Sequence, residues 1–287
     1  MPHLTVPGRL GPKDARSSAS TETAPHRRAC AAALVLACLL LFAGCGSSNK
    51  QTSAETIEGN EIGQLPTVPP ATGAQPAPPR TRHVDPAYLR AVHGDAQALW
   101  QRQFADANLH YVPAGLVLFA SIVHSGCGVQ ENTGPFYCGA SRTIYLDTPF
   151  FEALSHHAGV GAFAQAYIVG HEFGHHVQHL LGIDGRVAAA DKADPHGASA
   201  RSVRVELQAD CLSGVWARSV YNRREVSTAE LEDALRTAAL VGDDFQARAA
   251  GKAVDPGLFT HGSSAQRQRW FATGFESGRP DACNTFA

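Results

Sequence analysis

The string His171-Glu172-Phe173-Gly174-His175 constrains this chain more than any other. Two histidines four residues apart face the same way on a helix, where successive residues turn by about 100°. On that helix Ala166, Val169, Phe173, Val177 and Leu180 form one narrow apolar arc, the side that has to be buried. His171 and His175 then lie about 40° apart on roughly the opposite arc, towards a cleft. The pattern predicts a helix over about 161–181, stopped at Gly182, with a core on one side and two imidazoles converging on the other.

Converging neutral imidazoles are the usual start of a zinc site. Glu172 lies beside them, but as the backbone neighbour of His171 it suits proton transfer better than coordination. His179 is eight residues past His171, about 12 Å along the axis, too far to share an ion with it. Leu181 stands where a further histidine ligand would fall on an extended motif. His176 and His179 are therefore expected on a solvated helix edge. The third ligand has to come from another element, and the helix expected over about 199–220 offers one. Its Glu206 and Asp210 share a face, while Val205, Leu212 and Trp216 take another. Glu206 is the expected third ligand of one zinc ion per chain. Asp210, one turn on, is expected to accept the free N–H of a ligand histidine, which fixes the tautomer and raises ligand basicity.

The N-terminus reads as an address. Residues 29–45, ACAAALVLACLLLFAGC, follow His26-Arg27-Arg28 and have the basic flank and short apolar run of an export signal. The run is short for a membrane span, which takes about twenty residues. Phe42-Ala43-Gly44-Cys45 resembles a bacterial lipoprotein box, with Cys45 as the lipidated residue. The alternative is an uncleaved anchor helix. Both place the body outside the cytoplasm, in the cell envelope and anchored to the membrane. Residues 1–45 carry five basic and two acidic side chains, so the remainder holds 19 basic and 24 acidic ones. That balance excludes a basic nucleic-acid footprint. Four cysteines remain there, Cys127, Cys138, Cys211 and Cys283, an even number that suits two disulfides in an oxidising compartment.

Residues 46–84 are rich in Pro, Gly, Ser and Thr and are expected to be a flexible tether with almost nothing buried. From Pro86 the pattern turns helical, with Leu89, Val92, Ala96, Leu99 and Trp100 on one side. Leu116–Ile122 is expected to be one buried strand and Arg142–Asp147 a second. Ser227…Glu230 and Ser263…Gln266 read as capping boxes opening two further helices. The expectation is a single α+β body over 85–287, predominantly helical, with a small sheet.

Several stretches together resemble the bacterial neutral zinc metallopeptidase family. They are CGVQENTGPFYC (127–138), TIYLD (143–147), QAYIVGHEFGHHVQHLLGI (165–183), RSVRVELQADCLSGVWA (201–217), VGDD (241–244), FTHGSSAQRQRWFATGFESG (259–278) and CNTF (283–286). The resemblance implies a zincin-like fold, with the metal held by His171, His175 and Glu206. It also implies a peptidase acting on peptide or protein substrates. In that reading Glu172 is the general base, and His261 is the candidate donor to the developing oxyanion, with Arg267 and Tyr167 behind it. The strand Thr143–Asp147 is expected to offer an edge to extended substrate. Cys127 and Cys138 flank a Gly-Pro turn and are expected to pair, leaving Cys211 with Cys283. The rival reading is a zinc-binding envelope scaffold of weak or no activity. Oligomeric state is not encoded in any of these features.

Overall fold

The computed structural model describes residues 59–69, 85–158 and 161–287. The expected export or lipoprotein segment, Cys45 with it, and residues 46–58 and 70–84 of the expected tether lie outside the described residues. Among the described residues no helix is long and apolar enough to cross a membrane.

The fold is α+β and predominantly helical, of the zincin-like kind the motifs implied. Helix α1 (Pro86–Asp106) opens with proline at its first position and Asp85 as N-cap, its carboxylate accepting the Ala87 N–H at 2.8 Å. Strands β1 (Gly115–Phe119), β4 (Phe136–Cys138) and β5 (Thr143–Asp147) make a three-stranded sheet in the order β1-β5-β4, β1 parallel and β4 antiparallel to β5. A separate hairpin pairs β2 (Ile122–Ser125) with β3 (Gly128–Glu131). The single strand expected over Leu116–Ile122 is thus two. Ser121 between them adopts a left-handed φ of 66°, its N–H donating to Asp147 Oδ1 at 3.0 Å. The chain turns there, and Ile122 is 55 % exposed on the hairpin.

The helical part follows: α2 (Thr148–Ala158), α3 (Ala162–Leu180), α4 (Ile183–Ala193), α5 (Ala198–Asn222), α6 (Thr228–Leu240), α7 (Asp243–Ala249) and α8 (Ser264–Ser277). Both expected capping boxes are formed, Ser227 with Glu230 at the start of α6 and Ser263 with Gln266 at the start of α8. Gly182, φ 71°, separates α3 from α4 as a left-handed residue. The expected apolar arc of α3 is buried at Ala166, Val169, Phe173 and Val177, and Leu180 packs against its rim. Yet α3 is covered on nearly every side, and only a narrow strip of it meets the cleft.

Two glycines set how closely these helices cross. A Cβ on Gly174, inside the metal-binding string, would sit 2.6 Å from Ala209 Cα, so only glycine lets α3 approach α5 this far. A Cβ on Gly274 would sit 1.8 Å from the Cys211 carbonyl oxygen, so α8 meets α5 backbone to backbone. Disulfides join Cys127 to Cys138 and Cys211 to Cys283, the expected pairs. The second ties the C-terminal segment to α5 next to Asp210.

One expectation for the tether is overturned. Residues Gly59–Gln64 form a 3-10 helix, and Ile62, Leu65 and Val68 are buried in the main core. The Val68 N–H donates to the Gly278 carbonyl at 2.6 Å. The composition is that of a linker, but three apolar residues three apart make one contact stripe. Among the described residues the folded body thus takes in 59–69 as well as 85–158 and 161–287.

Candidate metal centre and cleft

The crossing of α3 and α5 brings His171, His175 and Glu206 together, one ligand atom from each lying within 4.8 Å of the others. His171 Nε2 is 3.1 Å from Glu206 Oε2, and His175 Nε2 is 3.4 Å from Glu206 Oε1. Both imidazoles have their other nitrogen committed. His171 Nδ1 lies 2.8 Å from Asp210 Oδ1, and a carboxylate accepts only, so Nδ1 carries the hydrogen. His175 Nδ1 donates in the same way to Gln178 Oε1 at 2.9 Å. Gln178 is itself oriented by donating to the Val205 carbonyl at 2.8 Å and to Gln208 Oε1 at 3.0 Å. Each histidine therefore turns Nε2 towards Glu206, the arrangement in which imidazole binds zinc. Among the described residues this is the one such group of donors.

Asp210 is fully buried and saturated. Besides His171 it accepts the Tyr167 hydroxyl at 2.5 Å, while Arg267 reaches Oδ2 through Nε at 2.8 Å and Oδ1 through Nη2 at 3.0 Å. Arg267 and Tyr167, the candidates placed behind His261 as oxyanion donor, are both bonded to Asp210 and also line the cleft. Burial raises the Asp210 carboxyl, but Arg267 and His171 outweigh it and hold the pKa below the ordinary value. For Glu206 burial again acts upward, and His175 and His171 draw the group well below the usual carboxylate range. At His171 burial works against a charge, yet Asp210 and Glu206 raise its pKa to about 10. The cluster is a place that attracts positive charge.

Glu172 lines the same cleft but is not among the three converging donors. It is 5 % exposed, and burial raises its carboxyl pKa against the pull of His171 and His175. The cleft has a volume of about 820 Å³. Pro135, Phe136, Phe150 and Ile168 give it one apolar wall; Asp243, Gln246 and His261 give it a polar one. His261 is exposed on the loop before α8, with its Nδ1 3.2 Å from Asp243 Oδ1.

Two further expectations are corrected. His176 is fully buried, not solvated: its Nε2 donates to the Val112 carbonyl at 2.9 Å and its Nδ1 accepts the Tyr137 hydroxyl at 3.0 Å. Burial lowers its pKa to about 4, so the ring is neutral and structural. His179 does sit at the helix edge, paired with Asp184 at 2.6 Å. The strand Thr143–Asp147 is not an edge either, since β5 is the middle strand. The sheet edge beside the cleft is β4, whose Phe136 and Tyr137 line it. Gln178 went unnoticed in the sequence; its spacing of three from His175 was the available signal.

A family model described as "Putative neutral zinc metallopeptidase" matches residues 13–286. The chain is 44% identical over 191 residues to uncharacterized protein YpfJ of Escherichia coli K12, covering 65% of this chain and 66% of that one. It is 42% identical over 191 residues to uncharacterized protein Mb2605 of Mycobacterium bovis, covering 62% and 64%. The chain thus spans just under two thirds of the length of these relatives. No solved structure matches it.

Proposed function

We propose that this chain, which belongs to the neutral zinc metallopeptidase family, is a zinc-dependent peptidase of the cell envelope, anchored through residues 29–45 and acting on peptide or protein substrates. The donor set fits zinc: two imidazoles presenting Nε2 and one carboxylate, on two helices locked at a glycine crossing. His171, His175 and Glu206 would hold one ion, with Asp210 and Gln178 orienting the two rings. Bound there, zinc supplies a Lewis acid that acidifies water and polarises a carbonyl. Glu172 takes the proton as water adds to the peptide carbonyl and delivers it to the departing amine nitrogen. His261, which also lines the cleft, donates to the carbonyl oxygen in its protonated form as charge develops there.

The observation that carries this reading is Glu172. It is a buried carboxylate lining the cleft, next to the donor cluster and outside it, where a purely structural metal site has no use for it. A structural zinc site usually has four protein ligands, and this cluster holds three among the described residues. Glu172→Gln keeps shape and hydrogen bonding but cannot take the proton. The variant should fold, hold one zinc like the parent, and cleave peptides roughly 10²–10⁴-fold more slowly. Full activity at matched zinc content would remove Glu172 from the mechanism. A parent that cleaves nothing in a broad peptide library would favour the envelope scaffold. Glu206→Ala should lower bound zinc, and a variant that keeps it would displace Glu206 as ligand.

A further inference from the structure

The run Val241-Gly242-Asp243-Asp244 has no part in the chemistry above, yet each of its residues is fitted to the segment that carries His261. The Val241 carbonyl accepts Arg267 Nη1 at 3.2 Å. A Cβ on Gly242 would lie 2.4 Å from the Ser264 nitrogen. Asp244 Oδ1 accepts both the N–H and the hydroxyl of Ser264 at 2.7 Å. Asp243 does most. Its Oδ2 accepts the backbone N–H groups of Thr260, His261 and Gly262 at 2.8, 2.7 and 2.9 Å. Its own N–H donates to the Gly262 carbonyl at 2.9 Å.

The two carboxylate oxygens divide the work. Oδ2 alone secures the loop through three amides. Oδ1 is turned to the ring, 3.2 Å from His261 Nδ1. The Thr260 hydroxyl, 3.0 Å from the same nitrogen, can accept there too. The ring is 53% exposed, so packing does little to hold it, and these polar contacts are what restrict it. A carboxylate cannot donate, so Nδ1 has to carry the hydrogen. Nε2 then holds the ring's remaining hydrogen-bonding capacity, and both His261 and Asp243 line the cleft.

We propose that Asp243 is a positioning residue for His261: it fixes the Nδ1–H tautomer and directs Nε2 into the cleft towards the scissile peptide. The catalytic consequence rests on the peptidase reading; the tautomer does not. Nε2 accepts a substrate N–H while the ring is neutral and donates once the ring has gained a proton.

The test uses the full chain, with nitrogen-15-labelled histidine, at about pH 8, above the usual imidazole range. Long-range proton–nitrogen spectra should show His261 as the Nδ1–H tautomer in the parent. In Asp243→Asn the side-chain amide can face Nδ1 as a donor, and the population should move to Nε2–H. An Nε2–H ring in the parent, or an unchanged tautomer in Asp243→Asn, overturns the proposal. On a peptide the parent cleaves, Asp243→Asn should lower kcat more than it raises KM. The double variant with His261→Ala should be no slower than His261→Ala alone, to within about twofold. Losses that multiply would make Asp243 a scaffold of the loop and nothing more. If the parent cleaves no peptide, the peptidase reading fails, and the tautomer result alone decides the role of Asp243.

Discussion

The His171–Asp210 and His261–Asp243 pairs join the same two side-chain types through Nδ1, yet one is sealed among three helices and the other lies on a loop. Asp210 is fully buried and matched by side chains from α3 and α8: a tyrosine hydroxyl, an imidazole and a guanidinium. Asp243 is matched mainly by backbone amides, and its histidine faces solvent. A buried carboxylate has to find every partner inside the protein, and each partner then depends on it. A carboxylate that is only partly buried, as Asp243 is, shares the task with water. The first pair therefore commits stability to geometry at the metal ligands, and the second places a side chain at little cost in folding energy.

Breaking the buried pair gives the largest effect. Asp210→Ala leaves Arg267 charged and unmatched in the interior, and stability in urea should fall by about 3–5 kcal/mol. The milder Asp210→Asn should weaken zinc binding about 10–100-fold through the loosened His171 ring. A loss below about 1 kcal/mol in Asp210→Ala would mean the network is energetically idle. On the other side, His261→Ala should leave urea stability within about 0.5 kcal/mol of the parent, because it removes an exposed ring. A loss near that of Asp210→Ala would erase the contrast between the two pairs.

The smallest effect is a pH dependence at Asp244, which secures the loop side to α8. Burial raises its carboxyl, but the Ser264 N–H and hydroxyl and the Arg248 guanidinium outweigh this and hold the pKa below the ordinary value. As pH falls the unfolded chain takes up this proton first. The contribution of Asp244 is therefore present above the ordinary carboxylate range near pH ~4 and is lost as pH drops below it. The stability gap between parent and Asp244→Asn should shrink between about pH 7 and pH 3. A gap constant over that span would show that the carboxylate is not held by these bonds.

The local and periodic parts of this architecture were legible in the sequence. Helical spacing revealed α3 and the shared face of Glu206 and Asp210, and short local patterns marked both capping boxes. The apolar arc misjudged the far side of α3, where Tyr111, Tyr137 and the Val112 carbonyl arrive from the β region to enclose His176. No count along the helix announces a neighbour supplied by another segment. Strand order was hidden for the same reason: alternation marks β5 as a strand but not as the middle one. Arg267 is 57 residues from Asp210 and Asp243 is 18 from His261, joined by loop and helix crossings that have no period. Ile62, Leu65 and Val68 were masked by the prolines and glycines around them.

That last segment has a mechanical meaning. Val68 is bonded to the Gly278 carbonyl, and the Pro69 carbonyl accepts from Arg218 Nε at 3.2 Å and from the Asn222 amide. Arg218 and Asn222 lie in the last turns of α5, with Arg218 about 12 Å along the axis from Asp210. The segment after Gly59 is therefore fastened to the far ends of α5 and α8, two helices that meet backbone to backbone at Gly274. None of residues 59–69 lines the cleft, so a load taken up by this strap would enter the body at the far ends of α5 and α8 and bypass the cleft walls, as a strain relief does on a cable.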